Sequence, residues 1–203
     1  MTAATPISET ERHAGVRRGL LLEYITLGWN VVGSVVVILA AFAARSVALA
    51  GFGLDSLIEI FASIIVVWEL TGAGGKERER RALRLIGIAF LCLALYILVQ
   101  SAVILLSSSR PHTSVPGILW LGATLIAMLL LAWGKKVTGE KIGNPVLMTE
   151  SRVTLIDALL AAAVFLGLIL NAAFGWWWAD PLAGLVIVYY GFKEGLAAIR
   201  GQA

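Results

Sequence analysis

Apolar residues run along the chain in six long blocks, at roughly 20–44, 46–70, 83–107, 117–134, 146–173 and 179–199. They are continuous rather than amphipathic, and about 20 such residues cross the hydrocarbon core of a bilayer. Backbone that faces lipid must satisfy its own hydrogen bonds, so each block is predicted to be a helix. The links are short. The pattern therefore predicts one six-helix transmembrane domain over 19–203 behind a polar tail over 1–18, and an all-α membrane protein overall.

Composition agrees with the pattern. Of 203 residues, 59% are hydrophobic and 14% charged, against about 25% charged in soluble domains. Charge then sets the orientation. Arg12, Arg17 and Arg18 precede helix 1, and Lys76, Arg78, Arg80, Arg81 and Arg84 fill the link between helices 2 and 3. Lys135, Lys136, Lys141 and Arg152 fall between helices 4 and 5, and Lys193 and Arg200 end the chain. Fourteen basic residues thus share one side, against Arg45 and Arg110 on the other. Positive residues remain cytoplasmic, so both termini are expected inside, and the basic excess needs no nucleic-acid partner. The first apolar run, ending in "AFA" (Ala41–Ala43), is too long for a secretory signal. Cys92 stands alone, so neither a disulfide framework nor a thiolate metal site is expected.

Punctuation is sparse. "GNPVL" places Asn144 as an N-cap with Pro145 at the first helical position. Asp180, before Pro181, reads as the N-cap of helix 6, and "GWWW" (Gly175–Trp178) as an aromatic belt where helix 5 leaves the outer face. Gly191 and Gly195 form a small-xxx-small pair that admits a homodimer.

The polar residues inside the blocks carry the chemistry. Asp55 and Glu59 stand four apart in "GLDSLIEI", which puts them on one helix face with Cβ atoms about 5–6 Å apart. A carboxylate at the centre of a membrane helix costs about 2.5–3.5 kcal/mol on insertion scales. The basic residues, all read as lying near helix ends, offer no neutralising partner at that depth. Protonation or a bound cation can remove the cost, because burial disfavours the charged form; protonated acids acting as packing glue are the structural alternative. Asp157 is twelve residues from Pro145 and Asp55 nine from Ser46, or about 18 and 14 Å along helices that enter from opposite faces. In an apolar layer about 30 Å thick, both acids reach the midplane.

Further polar groups share these faces. Glu150, Thr154 and Asp157 form one stripe on helix 5, and Glu23, Thr26, Asn30 and Ser34 another on helix 1. Asn30 and Thr154 read equally well as interhelical hydrogen-bonding groups, and Glu23 and Glu150 as interfacial acids near inner-side arginines. Three carboxylates at one depth suit a hard or borderline divalent ion. Metal taken up by carboxyls displaces their protons, which couples the two.

Several of these segments resemble the cation diffusion facilitator (cation efflux) family. "SVALAGFGLDSLIE" (Ser46–Glu59) is similar to its second helix, where Ser-x-Ala-Leu leads into Asp-x-x-x-Asp, and "ADPLAGLVIVYYGFKEG" (Ala179–Gly195) to its sixth. The likeness covers most of residues 20–199. It implies that Asp55, Glu59 (glutamate for the usual aspartate) and Asp157 are metal ligands. Val153 stands where that family places a fourth ligand, leaving Thr154, Asn30, Glu150 or water for that place. With Ala203 as the last residue, the resemblance is to a transmembrane-domain-only branch, expected to lack the cytoplasmic metal-binding domain that usually follows in the family.

The resemblance implies a divalent metal transporter, with proton-coupled efflux (metal/H⁺ antiport) through a midplane carboxylate site. Its partners would be a metal ion (Zn, Mn, Fe or Co) as substrate rather than permanent cofactor, protons and the lipid bilayer of a bacterial inner membrane. Glu23 and Glu150 would line a cytoplasmic vestibule. The rival readings are a non-transporting subunit or metal sensor with the same fold, and a proton or small-solute pathway. No nucleophile–base pair or cofactor motif points to an enzyme.

Overall fold

The computed structural model describes residues 8–44, 47–72, 74–107 and 115–201. Arg45, Ser46, Arg110 and His112, and with them most of the expected external loop, lie outside the described residues. Six helices follow in order: α1 (Glu9–Ala44), α2 (Val47–Thr71), α3 (Lys76–Ser107), α4 (Val115–Ile142), α5 (Pro145–Phe174) and α6 (Ala179–Arg200).

Three helices extend well past their apolar blocks. α1 starts at Glu9 rather than near residue 20, so the polar tail is helical where described. Its start is a capping box: the Glu11 amide donates to Ser8 Oγ at 3.3 Å, and the Ser8 amide donates to Glu11 Oε2 at 3.1 Å. α3 takes in the charged run from Lys76, and α4 continues to Ile142. The 36 residues of α1 span about 54 Å, so more than a turn or two of it stands clear of an apolar layer about 30 Å thick.

The short turn before α5 is built as its sequence suggests. Gly143 takes a left-handed φ of 64°, the Asn144 side chain accepts from the Leu147 amide at 2.8 Å, and Pro145 opens the helix. Asn144 Nδ2 also donates to Glu69 Oε2 at 2.9 Å, tying the end of α2 to this turn. α5 ends at Gly175, whose φ of 71° forms a left-handed cap. The N-cap of α6 is Trp178 and not Asp180, which falls inside the helix.

α5 is the axis of the bundle. It touches α2, α3, α4 and α6, and 61% of its apolar span is buried, against 33–39% for α1, α3 and α4. Those four helices are long and apolar enough to cross a membrane. α3 packs closely on α6: a Cβ added at Gly87 would meet the Gly195 carbonyl oxygen at 2.8 Å. Gly191 and Gly195 therefore serve contact with α3 inside the chain, Gly191 lying against Ala94. That accounts for the small-xxx-small pair without a second copy.

The exterior is apolar, unlike that of a soluble bundle, and ionisable groups are gathered inside the apolar core. Leu39, Phe42, Leu106, Leu119, Trp133 and Tyr189 are exposed, while Glu23, Asn30, Asp55, Glu59, Lys135, Glu150 and Asp157 are buried. Only a hydrocarbon solvent makes such an exterior favourable at this scale. The chain is an integral membrane protein.

Candidate metal-cation site and its buried lysine

α2 and α5 bring the three acids together. Asp157 lies within side-chain hydrogen-bonding reach of both Asp55 and Glu59, and all three are almost completely buried. These contacts are carboxyl to carboxyl, acceptor facing acceptor. Asp55 Oδ2, Glu59 Oε1 and both Asp157 oxygens accordingly have no donor. Asp157 is the hub of a chain of three. Among the described residues, no three His, Cys, Asp or Glu side chains surround one point as metal ligands do.

Glu59 is held from the third side. Asn30 Nδ2 donates to Glu59 Oε2 at 3.2 Å and to the Thr26 carbonyl at 3.0 Å, which orients its amide. Ser34 Oγ in turn donates to the Asn30 carbonyl at 2.7 Å. The helix 1 stripe thus faces the acids, with Asn30 in contact with one of them. Val153 is buried within the apolar core and offers no ligand.

The remaining candidates surround a residue that sequence reasoning misplaced. Lys135 belongs to α4, not to a link, and has no solvent exposure. Its Nζ lies 2.7 Å from Glu150 Oε1, 3.1 Å from Glu23 Oε2 and 3.0 Å from Thr154 Oγ1. Thr154 Oγ1 and Ser63 Oγ both donate to Glu150 Oε1, at 3.2 and 3.3 Å. One expectation is thereby corrected: a basic residue does lie inside the bundle, and Glu23 and Glu150 close around it. A buried carboxylate without a counter-charge is costly, and Lys135 has the stem length to supply one from α4. A signal existed in the sequence: Thr124, Met128, Leu131, Lys135 and Thr138 recur at helical spacing and are all buried, one stripe with polar members. Arg152 points away from this cluster, pairing with Glu194 of α6 at 2.7 Å.

Among the described residues, Asp55, Glu59 and Asp157 have almost no exposure. Towards the end of α5 remote from Pro145, Phe52, Ile97, Leu160 and Val164 leave a cavity of about 10 Å³, room for about one water. Towards the α4–α5 turn from the acids lies the buried Lys135 cluster.

Fold and interior together define a helical membrane protein with ionisable groups gathered at its core and an apolar exterior. The chain belongs to the cation efflux transmembrane domain family, whose sequence model matches residues 23–202; this is a family of transporters rather than enzymes. Among characterised proteins it is similar to the "Cadmium, cobalt and zinc/H(+)-K(+) antiporter" of Bacillus subtilis, 29% identical over 123 residues, 60% of this chain and 39% of that protein. It is also similar to "Transmembrane protein 163" of Xenopus laevis, 23% identical over 203 aligned residues, 95% of this chain and 72% of that one.

Proposed function

We propose that the chain carries a divalent metal cation across the membrane in exchange for protons, with Asp55, Glu59 and Asp157 as ligands and proton carriers. One observation carries this reading: Asp157 faces Asp55 and Glu59 in the apolar interior, with four carboxyl oxygens lacking a donor. Such an arrangement is relieved by a proton or by a cation between the acids. Exchange between the two is the elementary step of antiport, because metal binds the deprotonated ligands and releases their protons.

Asn30 fixes the orientation of Glu59 and is a candidate further oxygen ligand. Oxygen donors suit hard or borderline ions such as Mn²⁺, with Zn²⁺, Fe²⁺ and Co²⁺ within range, and the Bacillus relative is named for cadmium, cobalt and zinc. The end of the bundle at the α4–α5 turn is cytoplasmic by the distribution of Lys and Arg. The acids are buried among the described residues, so turnover requires the bundle to open to each side in turn.

The reading is tested by metal uptake into inside-out vesicles under an imposed pH gradient. Uptake dependent on both metal and gradient is expected; metal binding without flux supports a sensor or subunit, and proton flux without metal a proton pathway.

A further inference from the structure

A second set of oxygens lies about one helical turn from the carboxyl trio, the step from Asp157 to Thr154 along α5. Glu23 Oε2, Glu150 Oε1 and Thr154 Oγ1 all stand within 3.1 Å of one point, and that point is occupied by Lys135 Nζ. The donors come from α1 and α5 and the amine from α4, and all four side chains are fully buried. Carboxylate and hydroxyl oxygens around a buried point are the donor set of a hard-cation site. Here an ammonium fills it.

The cage holds more than a structural ion pair needs. One ammonium is balanced by one carboxylate, yet two acids face it; Lys135 approaches Glu23 Oε2 as an ion pair without hydrogen-bond alignment, and both Glu23 oxygens and Glu150 Oε2 have no hydrogen-bond partner. A divalent ion matches two carboxylates where the ammonium matches one. The cluster also lies between the α4–α5 turn and the acids of the proposed transport site.

We propose that the Lys135 ammonium is a tethered stand-in for the transported divalent cation, holding a second cation position that the metal takes on its path by displacing it. The inference rests on the transport reading above and adds a selectivity device to it. A monovalent ion gains nothing over the resident ammonium, whereas a divalent ion does, so the tether filters by charge. Displaced, the lysine swings on its own stem and returns once the metal has moved on to Asp55 and Asp157.

Co²⁺ binding to the purified full chain in nanodiscs, counted by equilibrium dialysis at fixed pH, tests this. The native chain is expected to bind one equivalent, lost in Asp55→Ala. Lys135→Met is expected to bind two, the second lost when Glu150→Gln is added and the first when Asp55→Ala is added. A single equivalent in Lys135→Met, abolished by Asp55→Ala alone, would overturn the proposal. If Lys135→Met does not fold unaided, saturating Co²⁺ should restore its folded yield. Failure of Co²⁺ to do so while Lys135→Met/Glu150→Gln folds would equally overturn it. The transport reading fails separately: a native chain that binds no Co²⁺ refutes it, while a Glu150-dependent equivalent in Lys135→Met still reports on the cage.

Discussion

Lys135 and Glu150 meet at 2.7 Å with neither side chain reaching solvent, joining α4 to α5 at the level where Glu23 of α1 also arrives. Removing one partner of such a pair costs about 3–5 kcal/mol, because the remaining charge stays buried. Lys135→Met should therefore lower the unfolding midpoint in metal-free detergent strongly, and the double variant Lys135→Met/Glu150→Gln less. Equal midpoints for native chain and Lys135→Met would show that the pair is not stabilising.

Asn30 Nδ2 donates to Glu59 Oε2 at 3.2 Å, so under the proposed transport reading its removal reaches the metal through Glu59. A buried hydrogen bond to a charged group contributes about 1.5–3 kcal/mol, and 1.4 kcal/mol is tenfold in affinity. Asn30→Ala should weaken half-saturation by metal roughly ten- to a hundredfold while leaving the helical content unchanged. Unaltered metal dependence would detach Asn30 from the site.

The helices were legible because a bilayer demands long apolar blocks, and the start of α5 because Asn144-Pro145 has local, side-chain-level meaning; the left-handed cap at Gly175 was not read from the sequence. Helix ends beyond the apolar layer were not: Glu9–Arg18 and Lys136–Ile142 lie outside the apolar blocks, where hydrophobicity carries no signal. The acids were legible individually, since charge inside an apolar block is conspicuous. Lys135 was not, because it sits beside Lys136 at the edge of a block, where an interfacial lysine is the ordinary case. Two adjacent residues on a helix point about 100° apart, and here one faces the bundle interior while Lys136 is exposed.

Contact between α3 and α6 leaves no room for a methyl group at Gly87, where the nearest atoms include the backbone of Gly195 and Ile199. Overpacking of this kind costs about 1–3 kcal/mol. Gly87→Ala should lower the unfolding midpoint, whereas Gly28→Ala, which meets nothing within 4 Å, should not. The same midpoint for both would contradict the described packing.

Loss of an N-cap costs about 1 kcal/mol, and Asn144 also binds Glu69. Asn144→Ala should speed hydrogen exchange at the Leu147 amide, its capped donor, while Asn144→Asp retains the cap but loses the amide donation to Glu69. Identical exchange in native chain and Asn144→Ala would refute the cap.

The most direct measurement is Co²⁺ uptake into inside-out vesicles with an imposed pH gradient, comparing the native chain with Asp55→Ala and Asp157→Ala. Gradient-driven uptake by the native chain, reduced to the level of empty vesicles in both variants, is the predicted result. Uptake at the native rate in both variants would contradict the carboxyl site and the transport mechanism built on it.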